Sequence, residues 1–379
     1  MISQLGLFNH FTIFINHCLT MIYKENFQLD KVAYIASPKG AKMDYVQKLQ
    51  VKMKEQEFDE GYIKLCSDYA QRLIDNDVPV VFDYRHLSLL LGLEPSEIAF
   101  YLFADESLFY KEIKIPKKRS GFRKIDIPSE RLKRIQRWIL DNVLYNMKIH
   151  ECCYGFSKGK SIYDNALLHV NKECVLNLDL KDFFPSIKQE NVFNIFYGKG
   201  YTKKVSYYFA KLLTKNGVLP QGSPASPMIS NIVAEHLDKR LSALAKKYHA
   251  DYSRYADDIT FSGASNVKNI IPIVTKIIRE EGFDVNVKKT RYAYYYQRQE
   301  VTGLIVNKKV SVSKEYIKEL NKEIYFCKKF GVVSHLEKTN NHKSFYKEHL
   351  YGKAYFVNMI DKDMGQKILE QLDTIMWEY

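Results

Sequence analysis

The stretch Asp251-Tyr252-Ser253-Arg254-Tyr255-Ala256-Asp257-Asp258-Ile259-Thr260-Phe261-Ser262 decides how the rest of the chain is read. Strand-forming residues flank Ala256-Asp257, which predicts a tight hairpin over 252–263 with two adjacent carboxylates at its tip. Alone, an Asp-Asp turn is most often a solvated turn. Its meaning changes with Val175-Leu176-Asn177-Leu178-Asp179-Leu180, which reads as a short apolar strand ending at an acid. With the two strands as neighbours, Asp179, Asp257 and Asp258 converge. Three such carboxylates suit two Mg²⁺ ions about 3.5–4 Å apart, which activate a hydroxyl and neutralise charge at phosphorus. Without cations the cluster is costly, because like charges repel.

Upstream of these strands, residues 43–77 carry apolar positions at helical spacing, as in Tyr62, Leu65, Tyr69 and Leu73, and Pro79 breaks the run. Val80 to Phe103 reads as short helices. Lys111 to Pro128 reads as two strands around the basic turn Lys117-Lys118-Arg119-Ser120-Gly121. Further helices are predicted from Ser129 to about Asn146, from Gln189 to Lys215 and from Pro227 to Tyr248. A helix and a strand follow from Ile270 to Tyr296, a second hairpin from Val301 to Val312, and then mostly helix. Strands mixed with long helices predict an α+β fold, not a doubly wound sheet.

The 379 residues suffice for two or three subdomains and a sizeable core. The chain is 46% hydrophobic and 27% charged, which excludes global disorder. Its 57 Lys+Arg against 44 Asp+Glu leave a net charge of +13, pointing to a polyanionic partner or simply to a basic soluble protein. The 28 tyrosines and 22 phenylalanines are core, rim or base-stacking platforms. No pair among the six cysteines has zinc-site spacing, and their scatter suits a reducing compartment. Leu5 to Ile22 is apolar but interrupted by Asn9, His10, Asn16 and His17, so it reads as neither signal peptide nor membrane span.

Tyr255-Ala256-Asp257-Asp258 downstream of an Asp179-x-x-x-x-Phe184 strand resembles the palm of reverse transcriptases. Other motifs fall in the family's order: Gly121-Phe122-Arg123-Lys124 in the fingers, Leu219-Pro220-Gln221-Gly222-Ser223-Pro224 as the template-and-nucleotide loop, and Gly282-Phe283-Asp284-Val285-Asn286 with Lys288-Lys289-Thr290 as the next palm motif. Together they cover about residues 80–310. Asn165-Ala166-Leu167-Leu168-His169 and Val301-Thr302-Gly303 are similar to the Asn-Ala-x-x-His and Val-Thr-Gly signatures of retron reverse transcriptases. Asn165 and His169 are one helical turn apart, a spacing that suits a structural hydrogen-bonded pair.

The resemblance implies a right hand: an N-terminal extension over 1–42, dispensable with Met43 as an alternative start; N-terminal helices and fingers over 43–178; palm over 179–307, with a fingers-side helical insertion near 190–217; and a short helical thumb and RNA-recognition region over 308–379. It implies catalytic and metal-binding roles for Asp179, Asp257 and Asp258. Phe184 is the steric gate against a 2′-OH, or a core ring like Phe183. Gln221 contacts the incoming nucleotide, and Gly222 lets the backbone approach it. Arg123 grips the triphosphate; Lys117 does so too or sits in a solvated turn. Lys289 protonates pyrophosphate or braces its loop.

In the C-terminal segment Ile317, Leu320 and Ile324 form an apolar helical stripe. Lys314, Lys318 and Lys322 alternate with Glu315, Glu319 and Glu323, giving a duplex-facing or an ion-paired face. Lys328, Lys329, His335, Lys338, His342 and Lys343 form a denser basic stretch, with Tyr346 and Tyr351 for stacking. Family resemblance assigns RNA recognition to this region. Implied partners are a cognate noncoding RNA, its DNA product, dNTPs and a separate effector, in a bacterial cytoplasm with no membrane. Two alternatives remain: another prokaryotic reverse transcriptase (group II intron or diversity-generating), or an RNA-binding scaffold or antitoxin with incidental polymerase activity.

Overall fold

The computed structural model describes residues 39–116, 121–341 and 343–377, of which 39–44 by backbone alone. The Leu5–Ile22 stretch, Lys117 and His342 lie outside these residues. A helix runs over Lys39–Glu55, across the expected boundary at residue 43. Its successor, Glu60–Asp75, starts where Asp59 accepts a hydrogen bond from the Tyr62 amide. Two short helices follow, Tyr84–Leu91 and Pro95–Phe103.

Strands β1 (Tyr110–Pro116) and β2 (Phe122–Pro128) pair antiparallel, as the flanks of the basic turn predict. Ser129 caps the next helix, Glu130–Asn142, which buries Leu132, Ile135 and Ile139. The central sheet is antiparallel and made of β3 (Cys174–Asp179), β4 (Asp251–Tyr255), β5 (Asp258–Gly263) and β6 (Arg291–Tyr294), in the order β4-β5-β3-β6. β3 is buried along nearly its whole length, which suits its apolar Val175, Leu176 and Leu178, with Asn177 the half-buried exception. Helix Glu235–Lys247 packs on β4 and on helix Ile271–Glu280. Most of this part shares one core with the N-terminal helices.

Three predicted elements differ in detail. The stretch from Gln189 to Lys215 forms two helices, Gln189–Gly198 and Lys203–Leu213, because Gly200 turns the chain at φ +95° and Thr202 caps a new start. The stretch from Pro227 to Tyr248 is likewise divided, at Ala234. The second hairpin shrinks to β7 (Glu300–Val301) and β8 (Leu304–Ile305), extended by a bridge from Ile305 to Ser311.

Helices Lys314–Phe330, Val332–Lys338, Tyr346–Ile360 and Lys362–Asp373 finish the chain around a separate apolar cluster. Leu320 and Ile324 are buried in it and Ile317 lines it, as their spacing predicts. The molecule is thus α+β, with a helical C-terminal unit where a right hand has its thumb. No helix among the described residues is long and apolar enough to cross a membrane.

Candidate active site

The antiparallel register of β3 and β5 sets Asp179 directly opposite Asp258. Leu180 donates its amide to the Asp257 carbonyl at 2.9 Å, and Asn286 donates to the Asp179 carbonyl at 2.7 Å. The Gly282–Thr290 motif therefore lies against the end of β3 beside the hairpin tip. In the turn between β4 and β5, Ala256 adopts φ +57°, an uncommon conformation for a residue with a Cβ.

What holds that turn lies behind it. Arg254 is fully buried and forms an ion pair with the equally buried Asp238, Nη2 to Oδ2 at 2.7 Å and Nε to Oδ1 at 2.8 Å. The same guanidinium donates to the Ala256 carbonyl at 3.1 Å and to Asn231 Oδ1 at 3.2 Å. Tyr252 donates its hydroxyl to Asp238 at 2.8 Å. Asn231 in turn donates to the Gly155 carbonyl at 2.8 Å. A Cβ on Gly155 would stand 2.5 Å from the Ala256 amide nitrogen, so only glycine lets this loop close against the turn. Every charge in this network is paired, which burial demands.

The front of the turn is the opposite. Burial raises the Asp257 carboxyl above the usual carboxylate range, and the charge of Asp179 adds to it; Lys289 and Arg123 pull the other way. Asp258 is pushed up to about 6, by burial first and then by Asp257 and Asp179, although its edge is open to solvent. Lys289 donates to Asp179 Oδ2 at 2.6 Å and Asn286 to Oδ1 at 3.1 Å. An ammonium thus engages the innermost carboxylate. No group of three or more metal-type side chains among the described residues is gathered closely enough to hold an ion. The donor set still fits a hard divalent cation: three carboxylates on adjoining backbone, two of them with pKa raised by burial and by their like-charged neighbours.

Arg123 is exposed on β2, opposite Ile115, and its charge acts on Asp257. Gln221 has its side-chain oxygen buried without a hydrogen-bond partner among the described residues. The fingers require glycine at 222. A Cβ there would sit 2.0 Å from the Asp126 carbonyl oxygen, so the loop is pressed onto β2 of the fingers. Phe184 is half-buried, unlike the buried Phe183. Sequence reasoning missed Phe156. It is 44% exposed at φ +61°, with its ring centroid 6.3 Å from that of Phe184 and 6.5 Å from that of Tyr255. The available signal was Gly155 beside it.

The two signature motifs meet in space. Asn165 donates to the Thr302 hydroxyl at 3.5 Å, and Ala166, Val175, Val301 and Leu304 share one apolar cluster. Asn165 and His169 do not bond to each other. The helix ends at Leu167, so His169 leaves its register and bridges Ser253 and Ser262 of β4 and β5, 2.7 Å from each. Burial pushes this imidazole down to about 3 and keeps it neutral, one nitrogen donating and one accepting.

On the thumb, Lys328, Lys329, Lys338 and Lys343 are exposed, while His335 is buried against Phe326. Tyr346 is not available for stacking. It is 1% exposed and donates its hydroxyl to Glu323 at 3.1 Å. Tyr351 donates to Asp373 at 2.6 Å. Glu323 also accepts from Lys353, and Glu315 from Arg298, so these acids tie the helix to its neighbours rather than to its own lysines.

A family model described as reverse transcriptase (RNA-dependent DNA polymerase) matches residues 115–323. The chain is 32% identical over 317 residues to the retron Ec86 reverse transcriptase of Escherichia coli, covering 81% of this chain and 94% of that one. It is 34% identical over 325 residues to the retron Mx162 reverse transcriptase of Myxococcus xanthus, covering 76% of this chain but only 65% of the relative. Among solved structures, telomerase from Candida albicans with a fragment of telomeric RNA aligns at a TM-score of 0.41 and 12% identity, over 69% of this chain and 62% of that one. A likeness that weak carries no argument of its own.

Proposed function

Because the chain belongs to the RNA-directed DNA polymerases of the reverse transcriptase family, among the retron reverse transcriptases, we propose that it copies part of a cognate structured noncoding RNA into single-stranded DNA. In this reading synthesis starts from a guanosine 2′-OH of the same RNA, leaving a branched RNA–DNA product. The protein then serves in anti-phage defence with a separate effector, in the bacterial cytoplasm.

The observation that carries the reading is the register that sets Asp179 across from Asp258, with Asp257 beside it, in a chain whose family does this chemistry. Asp179, Asp257 and Asp258 would hold two Mg²⁺ ions once Lys289 moves aside, and these ions would activate the attacking hydroxyl and offset charge at phosphorus. Asn286 keeps Asp179 oriented. Arg123 faces the triphosphate as a planar donor set, and Gln221 offers its unpartnered oxygen to the incoming nucleotide. Phe184 excludes the 2′-OH, with Phe156 limiting where its ring can go. Lys289, released from Asp179, is the proton source nearest the departing pyrophosphate. The exposed lysines at 328, 329, 338 and 343 contact RNA phosphates.

The test is to express the protein with the noncoding RNA adjoining its gene and extract nucleic acid. The expected product is DNA that stays attached to RNA until a debranching enzyme releases it. Unbranched DNA would refute the priming step, and absence of DNA would refute the polymerase reading.

A further inference from the structure

Of the tyrosines expected to stack on bases, Tyr346 is buried in the thumb and Tyr351 is tied to Asp373, but the molecule presents others elsewhere. The segment Arg291-Tyr292-Ala293-Tyr294-Tyr295-Tyr296-Gln297-Arg298 places four tyrosines in five residues. Tyr292, Tyr295 and Tyr296 are 46%, 69% and 70% exposed, which is unusual for large rings so close together. They lie on and just beyond β6, the edge strand of the central sheet. The rings are ordered by one another: Tyr294 and Tyr296 are stacked with centroids 5.7 Å apart at 19°, and Tyr295 meets Tyr296 edge-on at 5.4 Å. The Lys268 ammonium lies 5.3 Å from the Tyr292 centroid and 5.5 Å from that of Tyr294.

We infer that this palm edge is a docking platform for unpaired bases of a single-stranded nucleic acid, separate from the catalytic cleft. Ordered, exposed rings with a cation among them suit base stacking beside a phosphate backbone, and such stacking is tolerant of sequence. Charge agrees. Arg291 is exposed at the start of the strand, where its charge already acts on Asp258, and Lys288 is exposed just before it. β6 runs away from the catalytic end, from Arg291 opposite Asn177 to Tyr294 opposite Cys174. A strand leaving the Asp179 end along β6 therefore meets Tyr292 and then the stacked pair. The outer face of Tyr296 is the open stacking surface. The inference rests on the proposed nucleic-acid partner, and its test is separable from polymerase activity.

The experiment compares the full chain with Tyr295→Ser/Tyr296→Ser, Tyr295→Phe/Tyr296→Phe and Lys268→Ala. Binding of a short unstructured RNA, and of its duplex, is measured by fluorescence anisotropy over a salt series. Both rings are exposed, so the melting temperature should not move. The serine variant should bind the single strand about tenfold more weakly with an unchanged salt slope, since the phosphates keep all their cations. The phenylalanine variant should bind as the parent does. Lys268→Ala should lower the salt slope by about one. Duplex binding and extension of a pre-annealed primer should be unaffected by the tyrosine changes. Equal binding by the serine variant, equal loss on duplex, or failure of phenylalanine to restore binding would each overturn the inference; the first would leave the patch to a protein partner. If the parent extends no primer yet shows the tyrosine-dependent binding, the polymerase reading fails and this one stands.

Discussion

The two sides of the Tyr255–Asp258 turn follow opposite rules. Behind it, Arg254, Asp238, Asn231 and Tyr252 are buried and mutually bonded. In front of it, Asp257 and Asp258 face Asp179 with like charge. A fold under no other demand would neutralise the front as it does the rear. The contrast separates scaffold from chemistry within four residues, and mutations on the two sides should fail in different ways.

The largest effect is expected at the rear. Asp238→Ala strands the Arg254 guanidinium in the core, which costs about 3–5 kcal/mol. The protein should melt many degrees lower and lose RNA binding along with synthesis. An unchanged melting temperature would show that the network is not what secures the turn.

At the front, Phe184→Val should leave the melting temperature within a few degrees while shifting sugar choice. Incorporation of rNTP relative to dNTP should rise about tenfold or more, an amount expected when a close steric barrier is taken away. Phe156→Ala should shift the same ratio in the same direction by less. If only stability falls and the ratio does not move, both rings are core.

A smaller effect separates the sides by pH. The folded-state pKa of Asp258 is raised to about 6, from an ordinary carboxylate value in the unfolded chain. The metal-free fold binds this proton more tightly than the unfolded chain does, so its contribution to stability is present at low pH and lost as pH rises through about 6. Asp258→Asn removes that loss. The variant should be more stable than the parent above pH 6 without metal, by about 1 kcal/mol after allowing for solvent screening, and the difference should vanish in acid. An equal gain at all pH values would contradict the assigned cause.

How much of the molecule is legible in its sequence follows the same division. Asp179, Asp257 and Asp258 can be read because a two-residue strand period and a hairpin tip bring them together by local rules. The rear is hidden. Asp238 and Arg254 are 16 residues apart on a helix and a strand, and nothing local says that they meet. The spacing of Asn165 and His169 misleads, because the helix stops at Leu167 and helical register stops with it. Tyr346 misleads because a basic neighbourhood says nothing about which side of a helix is buried. Gly222 is a site of close approach, and no local pattern says that the Asp126 backbone is its neighbour.

The smallest effect concerns the thumb surface. Neutralising Lys338 and Lys343 should lower the salt slope of cognate RNA binding by at most about two, one for each phosphate that loses its cation. Extension of a generic annealed primer should persist. Parallel loss of both would make this face a general duplex clamp.

If the front of the turn serves chemistry and nothing else, Asp257→Asn exposes it most directly. The variant is assayed side by side with the parent for extension of a DNA primer on an RNA template, for RNA affinity and for melting temperature. Extension should fall by about a thousandfold or more, with RNA affinity unchanged and a melting temperature equal to or above the parent's. Normal extension by the variant, or loss of extension accompanied by an equal loss of fold and RNA binding, would contradict that division of labour.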